Sequence, residues 1–512
     1  MEFNLLFFFF FFFFLYCFNG DQWHVLPRIK LIFKNYFSEK DSPFNIAIFR
    51  IVFFAFFLTH LNGWGKNIWF SQLPTEMMVP PIGMKFILSV VPVTPDLVKK
   101  LMILFIIFCF LAMVGCFARA ASFLAAISGI YVIGITQFYG KVDHDHHMIW
   151  FMFILSASRC SDVLSIDSIW KTFREANQGR VTKDENSVVY ALPLRFIWLL
   201  MGMIYFFPGF WKFFRSHDWA WSDNLKYQLY AQWFKNGGWL PFFRLDQHPL
   251  LYKMCGLGVI FFELFFIFFI FFPQLRPIAI ISGLLFHQMT SLFMKIGFFN
   301  LQICYVAFIN WAEFFARIRK LIFKKPFHIN CKGRSLFYRR MIAILIKFDI
   351  FQCITSSDQI QPLKKFLFDQ QIIKFTGVAL LLINSFFGSR EMTSGWPFAC
   401  YPTFARRMQE ASIETITPYG VMDNKEELVG FNTLKERMDL SKFTGMINSI
   451  LAIPDGNQQK NKLKTLVSVM KMEGINLSHY SKIRFYKTTF STQPGKASDP
   501  PILKRLLAEI EI

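Results

Sequence analysis

Charged and titratable side chains inside long apolar runs are costly to bury, so chemistry is sought there first. Lys212 closes the run Arg195-Phe-Ile-Trp-Leu-Leu-Met-Gly-Met-Ile-Tyr-Phe-Phe-Pro-Gly-Phe-Trp-Lys. An amine desolvated among Phe and Trp favours its neutral form, which can act as a base. The plainer alternative is a lysine snorkelling to a membrane interface. Tyr205, Gly209 and Lys212 recur at i, i+4 and i+7, on one helical face. Pro208-Gly209 predicts a helix break just beneath the lysine, opening backbone toward a cavity. His287 sits in Leu285-Phe-His-Gln-Met-Thr-Ser-Leu, where a histidine, a glutamine and two hydroxyls should face the protein interior, at least for an interhelical hydrogen bond. Asp143, His144, Asp145, His146 and His147 form a dense run of metal-ligand types. Histidine-box oxidases need several such clusters, and the rest of the 10 histidines are scattered. No required metal is expected, and His147 reads as a hydrogen-bonding or acid/base group at the membrane surface. Arg50 reads as an arginine paired inside the bundle to fix packing, and Glu263 as a counter-ion for Arg50 or Lys212.

The elements that must position these groups are membrane-spanning. The chain has 512 residues, 54% hydrophobic and 19% aromatic, with mean hydropathy +0.37. Its apolar residues cluster in runs of about 18–22, the length that crosses a bilayer core. Candidate spans cover about 44–62, 101–118, 121–139, 147–159, 193–211, 250–272, 277–294, 297–315 and 371–388. The fourth is interrupted by Ser156, Ser158, Arg159 and Asp162. The net charge of +21 fits positive-inside loops and anionic lipid headgroups, and no nucleic-acid-binding pattern is present. Nine cysteines form no disulfide framework in any one loop.

Basic residues flank the first span (Arg28, Lys30, Lys34, Lys40) and follow the eighth (Arg317, Arg319, Lys320, Lys324, Lys325, Arg339, Arg340). An even number of spans between them places both on the cytoplasmic side. The ninth span then sends residues 389–512 to the non-cytoplasmic side. On that topology Lys212, His147 and His287 fall at one membrane depth, as groups of a single site would. Residues 1–20, with the tract Phe7–Phe14, are a signal, an anchor or a mis-called start. Residues 318–370 form a basic cytoplasmic insert, with a short helix over Ser335–Ile354 and a faint thiol-domain likeness at His328-Ile-Asn-Cys331. In the tail, Thr433–Leu451 and Lys460–Met472 predict amphipathic helices, Lys482–Thr492 a strand, and the stretch after Pro500-Pro501 a last short helix. The fold class is an all-α polytopic membrane bundle of about eight or nine spans, with a small α+β extramembrane C-terminal domain.

Several pieces resemble the vitamin K-dependent gamma-carboxylase superfamily and its HTTM (horizontally transferred transmembrane) relatives: Ala47-Ile-Phe-Arg-Ile, His147 with the later Ser165-Ile-Asp167, Tyr205-Phe-Phe-Pro-Gly-Phe-Trp-Lys212, and above all Phe286-His-Gln-Met-Thr-Ser-Leu-Phe-Met-Lys-Ile-Gly-Phe-Phe299. They cover about 44–317 in the right order. After the ninth span, Gly395-Trp-Pro-Phe and Tyr401-Pro-Thr-Phe404 are similar to the start of the family's luminal domain. The resemblance implies a site that binds reduced vitamin K or another quinol, with O2 and CO2 as co-substrates. It gives Lys212 the place of the base, His147 that of a polar-site histidine and His287 that of the Phe-His histidine, with Tyr205 and Gly209 beside the quinol. It also implies a secreted or membrane protein whose glutamates are carboxylated. Two features differ: the family's luminal domain is much larger, and its Asn-His pair is His146-His147 here. The alternatives are a non-carboxylating HTTM protein that binds quinone or lipid, and a transporter, against which stand the lack of an internal repeat and the few charges within spans.

Overall fold

The computed structural model describes residues 27–322, 363–429 and 440–512, apart from 61–64, 141, 144, 178–184, 217, 401, 424 and 498. The N-terminal Phe tract, His144, Tyr401 and residues 323–362 of the basic insert, with its expected helix and Cys331, lie outside the described residues. The main helices are α1 (Pro27–Ser38), α2 (Pro43–Thr59), α3 (Pro95–Val114), α4 (Ala118–Val132), α5 (His146–Ala157), α6 (Val188–Arg215), α7 (Pro249–Phe269), α8 (Arg276–Met294) and α9 (Leu363–Ser389). Shorter helices, named below by their residues, connect them.

All nine apolar segments appear as helical structure. Six are long and apolar enough to cross a bilayer, and Pro43–Thr59, His146–Ala157 and Phe299–Phe308 are shorter apolar helices. Local signals set their starts. Ser42 and Ser187 accept from the backbone N–H of Phe44 and Val189, Thr94 accepts from Leu97, and Pro43 and Pro95 open their helices. The most apolar stretch of α6 is 89% buried against 28% for α3, so α6 forms the axis of the bundle and α3 faces outward. Helices α2, α5, α7 and α9 pack on α6.

Two expectations about the spans are corrected. Pro208-Gly209 does not break α6, which runs unbroken through both Pro193 and Pro208. Neighbouring helices can support a proline-containing turn that would fail alone, and α7 lies against α6 here. A Cβ on Gly209 would sit 2.7 Å from Glu263 Cβ, and one on Gly202 would sit 2.8 Å from Ile267 Cγ1. The two glycines, seven residues apart, therefore let the α7 backbone come close. The eighth span is not one helix: Phe299–Gln302 passes into a 3-10 turn over Ile303–Phe308, and a separate helix begins at Trp311.

The tail folds as two helices, α10 (Leu440–Leu451) and α11 (Gly456–Met472), with an antiparallel sheet of β1 (Ser412–Met422), β2 (Lys425–Leu428), β3 (Lys482–Ser491) and β4 (Leu503–Glu511) in the order β2-β1-β3-β4. The expected final helix is a strand instead. Leu503, Leu506, Leu507 and Ile510 have helical spacing, but β4 pairs with β3 from Lys482–Glu511 to Thr489–Leu503, and that ladder outweighs local propensity. Of the expected helix Thr433–Leu451, residues 433–439 lie outside the described residues.

The tail core (Phe443, Met446, Ile447, Leu466, Met470, Ile483, Phe485) is continuous with the bundle core. Indole N–H groups join the two parts. Trp396 donates to Ile130 O at 2.7 Å, Trp150 to Pro397 O at 2.8 Å and Trp219 to Phe404 O at 2.9 Å. The tail thus sits on the end of the bundle where α5 begins and α6 finishes. At the other end, Glu39 accepts from Arg195, and from Arg276 at 3.1 Å, tying α1 to α6 and α8.

Candidate functional site

Lys212 lies three residues from the end of α6 and is 2% exposed. Its Nζ donates to both oxygens of Glu263 on α7, at 2.5 and 2.6 Å, and lies 5.4 Å from the Trp219 ring centroid. Lys212 is therefore not a solvated interfacial cation, nor an isolated amine: it is half of a buried ion pair. Of the two counter-ions expected for Glu263, the structure selects Lys212. Gly209 is not among the residues lining the cavity described next. Its contribution is the close α6–α7 approach that brings Glu263 within reach.

A cavity of about 500 Å³ opens beside this pair. Lys212, Glu263, Tyr205, His147 and His287 all line it, so the residues singled out from the sequence on four separate helices meet in one place. His287 is 1% exposed, and its Nε2 lies 2.7 Å from Tyr205 Oη, which in turn lies 2.8 Å from Tyr305 Oη. His147 Nε2 is 3.3 Å from the Asn300 carbonyl oxygen. Asn300 Nδ2 also donates to Asp145, and Asp143 accepts from Lys442 of α10 at 2.7 Å. Cys400, Thr403 and Phe404 of the tail line the cavity too. The remaining walls are apolar, among them Met203, Phe207, Leu229, Phe286 and Phe293. Between α7 and α8 the lining includes Cys255, which is exposed, and Met289, 42% exposed. Both are on helices long and apolar enough to cross a bilayer, so this side of the cavity opens on the outward faces of α7 and α8.

Arg50 lies apart from this cavity and is fully buried. It donates to the carbonyls of Cys160 and Leu164, which hold the turn after α5. The packing role expected for it is the one observed. Among the described residues no group of three or more His, Cys, Asp or Glu side chains is placed to hold a metal ion.

A family model for the HTTM domain matches residues 38–315, more than half of the chain. The chain belongs to the HTTM family. No curated protein and no solved structure matches it. The match runs from before α2 through α8 and the 3-10 turn after it, and so includes every side chain of the Lys212–Glu263 pair and of the Tyr305–Tyr205–His287 cluster. It ends well before the tail. The resemblance to the gamma-carboxylase superfamily is consistent with HTTM membership.

Two lining residues of this HTTM site escaped the sequence reading: Asn300 and Trp219. No local signal marks them, because each reaches the cavity only through packing. Asp145, noted only as part of a run, has a distinct character. It sits in the loop before α5, where burial and then the Asp143 carboxylate push its carboxyl up to about 6, against the hydrogen bond from Asn300 and the Lys442 ammonium. Folding thus favours the protonated acid. Its contribution to stability is full below the ordinary value of 3.8 and is lost as pH rises through about 6. A two-unit shift corresponds to roughly 3 kcal/mol. Asp145→Asn should therefore stabilise the protein at pH 8 by up to that order and change little at pH 4. Thermal midpoints measured across pH 4–8 check this; parallel curves for the two proteins would contradict it.

Proposed function

We propose that this HTTM protein is a membrane-embedded, quinol-dependent carboxylase in which Lys212, working with Glu263, is the base. The observation that carries the reading is the meeting of a water-excluded Lys212–Glu263 pair with His147, His287 and Tyr205 in one apolar cavity that opens on the outward faces of α7 and α8. A quinol fits such a site: its ring needs apolar walls, its hydroxyls need a few polar partners, and its tail can remain in the bilayer beyond Cys255 and Met289. When bound, a reduced quinone supplies with O2 the strong base that removes a proton from carbon so that CO2 can add.

The protein's own groups prepare that reaction. Proton exchange between Lys212 and Glu263 leaves an amine able to take a proton from a ligand hydroxyl while the charge change is shared by two groups. The scarcity of water keeps that proton from leaking away. His147 and His287 offer ring nitrogens to ligand oxygens. The end of the cavity lined by the tail and by Asp143 and Asp145 is where a glutamate side chain of a protein substrate would arrive, in keeping with the non-cytoplasmic side that the basic loops assign to the tail.

The test uses membranes containing the full chain, labelled bicarbonate, menadiol and a glutamate-containing peptide. Lys212→Arg keeps a cation opposite Glu263 but cannot lose a proton at neutral pH. Quinol-dependent label incorporation should fall by about 10²–10⁴-fold, the span of general-base contributions. Incorporation indifferent to Lys212→Arg would defeat the assignment. A second reading, quinone or lipid binding without carboxylation, is favoured by the complete pairing of Lys212, which a purely structural ion pair would also show. Saturable menadione binding with no incorporation by the wild-type protein would select it.

A further inference from the structure

Tyr305 does not line the cavity, yet it is joined to it through hydrogen bonds. Its hydroxyl is 2.8 Å from that of Tyr205, which is 2.7 Å from His287 Nε2, and all three side chains are buried. His287 Nδ1 is buried without a partner among the described residues. The space for the Tyr305 hydroxyl is made by Gly283, one turn before His287 on α8, where a Cβ would lie 1.8 Å from Tyr305 Oη.

With Tyr205 donating to one of its two neighbours, the protons along this chain have two arrangements. In one, His287 Nε2–H donates to Tyr205 and Tyr205 donates to Tyr305. The Tyr305 proton is then buried with no acceptor among the described residues, at a point no cavity ligand touches, and a buried unsatisfied donor costs about 1–3 kcal/mol. In the other, Tyr305 donates to Tyr205 and Tyr205 donates to Nε2. The only donor left over is Nδ1–H of His287, a residue that lines the cavity. A ligand oxygen can satisfy that donor, so this arrangement becomes complete with one ligand acceptor, whereas a third, with Nε2–H and Tyr305 both donating to Tyr205, leaves both the Tyr205 proton and the bare Nδ1 to be satisfied at once.

We propose that Tyr305 is a positioning residue that, through Tyr205, fixes His287 as the Nδ1–H tautomer and makes it a hydrogen-bond donor to a carbonyl or deprotonated hydroxyl oxygen of the cavity's ligand. The ligand class rests on the quinol reading above; the tautomer does not. Tyr305→Phe removes one hydroxyl and keeps the ring. Gly283→Ala displaces the same hydroxyl from the other side.

The experiment is ¹⁵N-histidine NMR on the full chain in nanodiscs, with the His287 signals assigned by their loss in His287→Gln. The wild-type protein should show a protonated Nδ1 and a bare Nε2. Tyr305→Phe and Gly283→Ala should each shift the tautomer ratio at least about fivefold toward Nε2–H. A wild-type Nε2–H tautomer, or a ratio unchanged in both variants, overturns the proposal. Menadione, which carries only acceptor oxygens, should bind Tyr305→Phe about tenfold more weakly. If menadione fails to bind the wild-type protein, the quinol reading falls, while the tautomer measurement still decides the role of Tyr305.

Discussion

Lys212→Met should lower stability by roughly 3–5 kcal/mol, the usual consequence of breaking a buried ion pair by removing one partner. The loss comes mainly from what stays behind. Glu263 is 4% exposed, and with the amine gone both its oxygens lose the donor that holds them. Glu263→Gln should cost somewhat less, because an amide oxygen can still accept from the ammonium. The double variant Lys212→Met with Glu263→Leu removes both charges and fills similar volume. It should recover to within about 1 kcal/mol of the wild-type protein, since well-packed apolar residues often replace a buried pair at no cost. Quinol-dependent turnover should stay abolished in all three. Thermal unfolding in nanodiscs measures the first effect and label incorporation the second. A double variant no more stable than Lys212→Met would mean that the pair is not the unit described here.

The second large effect is expected at Arg50. Its two terminal nitrogens reach the carbonyls of Cys160, at 2.7 Å, and Leu164. Leu164 has φ of 51°, in the left-handed region that side chains rarely adopt, so the turn it belongs to needs outside support. Arg50→Met would leave both carbonyls without that donor inside the bundle, at about 1–3 kcal/mol each. A total loss of about 2–6 kcal/mol is expected. Arg50→Lys should recover only part, because a single ammonium nitrogen cannot occupy both guanidinium positions. The turn lies away from the cavity, so menadione affinity measured below the unfolding range should be unchanged by Arg50→Lys. A thermal midpoint for Arg50→Met equal to that of the wild-type protein would refute this account.

The two substitutions probe residues of one chemical kind for which the sequence offered different readings. Arg50 was legible as a packing arginine because a guanidinium inside a span requires acceptors, and backbone carbonyls at a turn can provide them. Lys212 was legible as a buried amine because of its Phe and Trp neighbours. Its partner was narrowed but not chosen, since Glu263 could have served either cation. The choice is made by Gly202 and Gly209, whose missing side chains let α7 lie close enough on α6. Tyr305 carried no signal at all. A tyrosine in the middle of an apolar run looks the same whether its hydroxyl meets a backbone carbonyl or a second tyrosine.

Hydrophobic run length by itself marked nine apolar segments, all helical and six of them long enough to cross a bilayer, because a membrane imposes a length on any segment that crosses it and requires backbone bonds to close within the helix. The same local chemistry marked Lys212, His147 and His287 as too polar for lipid. Only the tertiary structure decided that they share a cavity, that Lys212 is paired, that α6 continues through Pro208, and that the last segment joins a sheet. Those outcomes depend on groups far apart in the chain: glycines that let helices touch, a strand edge that supplies hydrogen bonds, and a tail that covers the cavity. Span length and local polarity are properties of neighbouring residues. Pairing, proton direction and enclosure are properties of the packed molecule.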